Sequence, residues 1–450
     1  MIINDTITAL ATVPGISGIA VIRMSGDDAV KIVSNCFRGS APLMEAERNT
    51  IHFGKIYSKN YLMDSVLVSV FRNPHSYTGE DTIEISCHGG NTTYSLIIDE
   101  LISQGARQAE PGEFTKRAFI NGKLDLLQAE AVSDMIHSVS VSGSIISARQ
   151  LHSGISTKIK KFRQILLDAC SLVELDSDFS DEDIEIINRK DLKEKAEEVL
   201  NFCTSLIESF NSAKIFRSGF YVAIAGFPNS GKSTLFNSLL GRNRAIVSQT
   251  PGTTRDYLEE SILVSGVAVK LFDTAGLRET EDAIEIEGIN FSHSVLSQAN
   301  IIFVLNDISI SEEHSDSLYK KIQEDYLAQK VYLIQNKVDR LPSLPEINKN
   351  AYISAKYGEG LPDLFNIIRT EIEKNKANIN DILINERHLI LLKGAAEAIR
   401  RAISELDYLS PNEIIAIELH DAARYFGEMT GQAWNEEVLN NIFSKFCIGK

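Results

Sequence analysis

One stretch, Gly226-Phe-Pro-Asn-Ser-Gly231-Lys232-Ser233, constrains this chain more than any other. It follows the apolar run Tyr221–Ala225, which reads as a buried strand. G-x-x-x-x-G-K-S between a strand and a helix is a phosphate-binding loop. The glycines let backbone amides approach the phosphates, and the next helix N-terminus adds fixed positive potential. Asn229, Ser230, Gly231, Lys232, Ser233 and Thr234 are therefore candidate phosphate contacts. Lys232 would reach the β- and γ-phosphates, and the Ser233 hydroxyl would ligate magnesium. The competing explanation is a glycine-rich turn of no chemical consequence.

Later segments weaken that alternative. Asp273-Thr274-Ala275-Gly276 follows an apolar run at Val267–Phe272, so that Asp273 can hold magnesium through water and Gly276 can meet the γ-phosphate. Asn336-Lys337-Val-Asp339 follows Val331–Ile334, and Ser354-Ala355-Lys356 follows Ala351–Ile353. All stand after strands, where an open parallel sheet places its ligand. Asp339 can accept hydrogen bonds from the ring N–H and exocyclic amine of guanine, whereas adenine would leave it unpaired. The nucleotide expected is GTP. Leu277 stands where small signalling GTPases carry a water-orienting glutamine. Catalytic help must then come from elsewhere in the chain, a second subunit or an added ion.

The 450 residues suggest about three domains. With 61 acidic against 45 basic residues, the net charge of −16 argues against a chain held on nucleic acid by bulk electrostatics. The charge is patchy. Residues 101–170 carry nine basic and six acidic side chains, and residues 171–210 four and twelve. The sparse cysteines at 36, 87, 170, 203 and 447 suit a reducing cytoplasm rather than a disulfide framework. The first residues lack the pattern of a signal peptide, and no apolar run approaches a membrane span. Cys447-Ile-Gly-Lys450 is a poor prenylation box because Gly449 is not aliphatic. No zinc site is expected, as the histidines lack ligand spacing.

The fold expected is a multidomain α+β chain. Residues 1–120 are rich in β-branched residues, with strands at Ile19–Ile22, Ser65–Phe71 and Thr82–Ser86. Residues 121–217 turn helical, with a stripe of Val199, Cys203, Leu206 and Phe210. Residues 218–376 alternate strand and helix as a doubly wound domain does, and 377–450 return to helix with Leu392, Ala395, Ile399, Ala402 and Leu406 in register. Either the α/β domain is inserted into one helical bundle or it separates two helical domains. Residues 174–185, Glu-Leu-Asp-Ser-Asp-Phe-Ser-Asp-Glu-Asp-Ile-Glu, read as a solvated acidic loop.

Three further segments narrow the class. They are Gln249-Thr250-Pro251-Gly252-Thr253-Thr254-Arg255-Asp256, the run Pro111-Gly-Glu-Phe-Thr-Lys-Arg-Ala-Phe-Ile-Asn-Gly-Lys-Leu-Asp-Leu-Leu-Gln-Ala-Glu130, and the terminal Phe446-Cys-Ile-Gly-Lys450. With Tyr77-Thr-Gly-Glu-Asp81 and Cys87-His-Gly-Gly90, they resemble the tRNA modification GTPase family called MnmE or TrmE along the whole chain. The resemblance implies a folate-binding-like N-terminal domain that forms a homodimer and binds a tetrahydrofolate derivative, in the 5-formyl or 5,10-methylene form. It also implies a flavoprotein partner, MnmG or GidA, in a heterotetramer or larger complex. The pair would add an aminomethyl or carboxymethylaminomethyl group to carbon 5 of the wobble uridine of certain tRNAs.

It further implies hydrolysis activated by potassium and by face-to-face pairing of G domains. Asn229 matches the potassium-ligating asparagine, with Ser248, Thr250 and Thr253 completing the shell. Thr254 would be the second magnesium ligand, and Ser248 to Thr254 would close over the GTP. Glu285 matches the catalytic glutamate, although Ile284-Glu-Ile-Glu287 could equally be a solvated face. Arg278 is a candidate switch contact or a surface arginine. Arg23, Glu80 and Lys123 match folate-contacting positions, joined by Lys450 and Cys447 of the terminal motif. The rival class is a GTP-driven RNA or ribosome assembly switch, which would carry an RNA-binding appendage.

Overall fold

Period-two alternation builds the first sheet. On one strand Val66, Val68 and Val70 are buried while Leu67 between them is 46% exposed. The computed structural model describes residues 5–138, 140–152, 154–178, 188–243, 259–273, 294–309, 312–341, 351–376, 385–434 and 436–450. Contacts divide the chain into two units, one of residues 1–133, 150–203 and 390–450, the other of residues 134–149 and 204–389.

The first unit opens with β1 (Ile7–Leu10), β2 (Ser17–Ser25), β3 (Phe37–Gly39), β4 (Thr50–Ser58), β5 (Tyr61–Phe71), β6 (Thr82–Gly89) and β7 (Arg107–Gln108). They form one sheet in the order β3-β4-β5-β6-β2-β1-β7. Every pairing is antiparallel except that of β1 with β7. Helices Ala29–Cys36 and Asn91–Ser103 cover one face, packing Val30, Val33, Ile97 and Leu101 into the same core as Val66, Val68 and Val70.

Helices supply the rest of this unit. Ile155–Asp178 runs antiparallel to Asn412–Thr430, with Cys170 Sγ 3.8 Å from Ala416 O and Ser177 Oγ 3.3 Å from Glu413 Oε1. The helical stripe of Leu392, Ala395, Ile399, Ala402 and Leu406 is buried throughout, as are Val199 and Cys203; in the second unit, Leu206 is buried and Phe210 half-buried. The acidic segment departs from the expected loop. Glu174–Asp178 are not a loop but the last turn of Ile155–Asp178, and residues 179–187 lie outside the described residues. Carboxylates at a helix C-terminus oppose the helix dipole. Burial of Val173 and a 2.8 Å hydrogen bond from Asn412 Nδ2 to Asp176 Oδ2 hold the turn.

The second unit contains β8 (Phe220–Gly226), β9 (Glu259–Val264), β10 (Val267–Asp273), β11 (Ile301–Asp307), β12 (Lys330–Asn336) and β13 (Ala351–Ile353). Their order is β13-β12-β11-β8-β10-β9, parallel except at the β9 edge. Central β11 is buried at every position, as a parallel strand covered on both faces must be. Ile301, Phe303 and Leu305 join Leu235 and Leu239 of helix Lys232–Asn243 and Leu364 and Ile368 of helix Leu361–Lys376. Ile302 and Val304 join Ile322 of helix Glu312–Asp325 on the other face. The carboxyl ends of β8, β11, β12 and β13 thus share one edge. Among the described residues no helix is long and apolar enough to cross a membrane.

Candidate nucleotide and folate sites

The phosphate loop leaves β8 at Gly226 and enters helix Lys232–Asn243. Its two glycines are sterically required. Gly226 has φ 152°, and a Cβ there would lie 2.4 Å from Leu305 O. Gly231 has φ 98°, and a Cβ would lie 2.3 Å from Asn336 Nδ2. Lys232 is buried, and its Nζ donates to Gly226 O at 3.0 Å and Phe227 O at 2.9 Å. Ser233 and Thr234 stand exposed on the first helical turn.

The later motifs close on this loop. Asn336 Nδ2 donates to Ser230 O at 2.8 Å, and its Oδ1 accepts from Ala355 N at 3.0 Å. Asn336 therefore braces the phosphate loop against the turn at 354–356. Ser354 Oγ donates to Asp339 Oδ1 at 2.6 Å, which orients a carboxylate that retains lone pairs for two base donors. Asp339 and Lys356 are exposed, and Ser354 and Ala355 are buried. Lys337 adopts the left-handed region at φ 68°, and its Nζ donates to Asn229 O at 2.7 Å. Asn229, itself at φ 63°, presents an exposed side chain.

Ser230 differs from its neighbours. It is 1% exposed, and its Oγ has no hydrogen-bond partner among the described residues. Its part in the site is carried by its backbone. Ser230→Ala should then leave GTP affinity unchanged and raise stability by about 1 kcal/mol, because an unpaired buried hydroxyl is removed. Thermal melting with and without GDP checks this; a lowered melting point would show that the hydroxyl has a partner.

Of the other expected residues, Asp273 ends β10. Ser248, Gln249, Thr250, Pro251, Gly252, Thr253, Thr254, Thr274, Ala275, Gly276, Arg278 and Glu285 lie outside the described residues.

In the first unit, Arg23 on β2 is the hub. Its Nε and Nη2 donate to Glu84 Oε1 at 2.9 and 2.8 Å, and its Nη1 donates to Gly449 O at 3.1 Å. The guanidinium lies 5.7 Å from both the Tyr77 and Phe114 ring centroids. The terminal tail is thus docked. Gly112 N donates to Cys447 O at 3.4 Å, and a Cβ on Gly449 would lie 2.3 Å from Leu10 O. Burial, then the charge of Arg23, lowers the pKa of the Lys450 ammonium. Cys447 is exposed, whereas burial pushes Cys36, Cys87 and Cys170 up to about 11 and Cys203 to about 12.

Glu80 is held from behind. Ser25 Oγ donates to its Oε2 at 2.7 Å and Arg117 Nη1 lies 3.2 Å away. Arg117 is 1% exposed and also donates to Asp5 Oδ1 at 2.6 Å and Glu113 Oε1 at 3.0 Å. Burial would raise the carboxyls of Asp5 and Glu113, but Arg107 and Arg117 hold both below their ordinary values. Lys123 is exposed, its Nζ donating to Pro74 O at 2.9 Å. Arg117 and Tyr77 stand in segments that carry the family resemblance, with no role attached to either, and Glu84 and Asp307 stand in no motif. The one available signal was an arginine four residues after a glutamate in Glu113-Phe-Thr-Lys-Arg117.

A glycine-built phosphate loop braced by an N-K-x-D turn at the carboxyl edge of a parallel sheet defines a P-loop GTPase. Residues 6–123 match the family described as GTP-binding protein TrmE N-terminus, and residues 126–447 match the MnmE helical domain. The curated tRNA modification GTPase MnmE of Salinibacter ruber is 39% identical, covering 99% of each chain. Those of Christiangramia forsetii and Flavobacterium johnsoniae are 39% and 40% identical, covering 100% of each. The chain belongs to the tRNA modification GTPase MnmE family and is a GTP hydrolase.

Proposed function

We propose that this GTPase serves tRNA modification, adding with a flavoprotein partner of the MnmG type an aminomethyl or carboxymethylaminomethyl group to the wobble uridine. The relatives' names carry the tRNA assignment. In this reading Arg23, Glu80, Lys123 and Lys450 hold a tetrahydrofolate derivative, with Cys447 beside it. The carrying observation is the 3.1 Å hydrogen bond from Arg23 to Gly449 O, by which the two ends of the chain meet at one site. The half-buried ring of Tyr77, backed by buried Phe114, beside the Arg23 cation suits a flat heterocycle, and a fixed carboxylate at Glu80 suits its N–H donors.

The G domain, residues 218–376, is read as an insertion between the helical halves 121–217 and 377–450, after a folate-binding-like domain at 1–120. A homodimer through that first domain fits its exposed apolar residues, among them Val13, Ile16, Ile51 and Phe53, each at least 67% exposed. A cytoplasmic setting fits a tRNA substrate. The test is nucleoside analysis of bulk tRNA from a strain lacking the protein, complemented by the wild type or by Lys450→Ala. Loss of the wobble-uridine modification, restored by the wild type alone, is expected. Intact modification with aberrant ribosomal subunits would favour the assembly-switch reading instead.

Asn229 is read as contributing its amide oxygen to a potassium ion, and Ser233 with Thr254 as holding magnesium. A neutral, exposed amide oxygen at the mouth of the phosphate loop is chemically suited to a monovalent cation. When bound, the ion supplies positive charge against the phosphates, as an arginine finger does elsewhere. Hydrolysis should be faster in potassium than in sodium chloride, and Asn229→Ala should abolish the difference while retaining nucleotide binding. Equal wild-type rates in both salts would discard the potassium reading. Glu285 is the residue read as orienting the attacking water, with Arg278 as a switch contact.

A further inference from the structure

Asp307 ends β11 and belongs to none of the nucleotide-binding motifs, yet its side chain is only 7% exposed at the edge where those motifs meet. A carboxylate at that depth must be paired. Oδ1 accepts the Ser309 N–H at 3.1 Å and the Ser309 hydroxyl at 2.6 Å. Oδ2 accepts Lys337 Nζ at 2.6 Å, with Arg340 Nη1 more distant at 3.9 Å. The same ammonium donates to Asn229 O in the phosphate loop at 2.7 Å. Lys337 is therefore fixed at both ends, its backbone in the left-handed region and its head clamped between the phosphate loop and β11.

We infer that Asp307 is a positioning residue for the nucleotide: by anchoring the Lys337 ammonium on the Asn229 carbonyl, it sets the distance between the base-recognition turn and the phosphate loop. Asp339 and the loop amides grip opposite ends of one ligand. A site whose halves are already at the right spacing loses less freedom on binding. Burial alone would raise the Asp307 carboxyl, but the hydrogen bonds from Lys337 and Ser309 hold it below its ordinary value, so the pair is ionic at neutral pH.

Because Asp307 acts through Lys337, its loss should appear in nucleotide affinity and not in turnover. In the full-length protein, Asp307→Ala should raise KM for GTP and speed release of a fluorescent GDP by about tenfold or more, the scale of one charge-assisted hydrogen bond. Turnover at saturating GTP should stay within about twofold. Asp307→Asn keeps the size and an acceptor for Ser309 but loses the charge, and should behave as the alanine variant does; it also serves if the alanine variant folds poorly. The deciding measurement is the cycle with Lys337→Ala. In that background Asp307→Ala should accelerate GDP release by less than about twofold. The same acceleration in both backgrounds, or a fall in turnover with KM unchanged, would overturn the inference.

Discussion

Arg117→Met should destabilise the N-terminal sheet by about 3–5 kcal/mol, the usual cost of leaving buried charge without its partner. Arg117 is 1% exposed and meets three carboxylates, those of Asp5, Glu80 and Glu113. Arg107 can neutralise Asp5 and Glu113, at 2.8 and 2.6 Å, but none of its ion pairs reaches Glu80. Methionine fills most of the volume, so the loss reports charge rather than a cavity. Hydrogen exchange of the β1 and β2 amides is the measurement, since a chain of several domains need not melt in one step. Wild-type protection in the variant would refute the assignment. The same network sets an acid limit. Asp5 and Glu113 have depressed pKa values, so their contribution is complete above the ordinary values of 3.8 and 4.5 and is lost as pH falls through the lower folded values. In Arg117→Met that acid-dependent part should shrink.

Asp339→Asn should cut GTP affinity at least about a hundredfold and raise affinity for xanthosine triphosphate, because a site built to accept two donors is left with a mismatched amide. The carboxylate stands where Ser354 Oγ fixes one oxygen at 2.6 Å, so its aim is set before ligand arrives. Asparagine can still accept that bond through its own oxygen, which keeps the turn intact and isolates the base contact. Competition of the two triphosphates against a fluorescent GDP measures both effects. Unchanged preference for GTP would remove Asp339 from base recognition.

The GTPase class was readable before any fold was known because the chemistry of a phosphate loop is local. Gly226 and Gly231 are needed at a fixed spacing from one strand end, and the three later motifs each follow their own apolar run. The helical stripes were readable for the same reason, since a period of 3.6 is a property of one segment. Where local composition was the only guide it failed: the acidic Glu174–Asp178 looked like solvent-facing loop, and a hydrogen bond from Asn412 helps to keep it helical.

The sequence by itself determined the class of nucleotide site, the strands that present it and the family to which the chain belongs. Tertiary structure alone decided which distant polar groups meet. Asp307 finds Lys337 across 30 residues, Arg117 finds Asp5 across 112, and Arg23 finds Gly449 across 426. The reason is physical. A motif is written by backbone geometry over a few neighbouring residues, whereas a buried ion pair is written by desolvation, which exists only after distant segments have excluded water together.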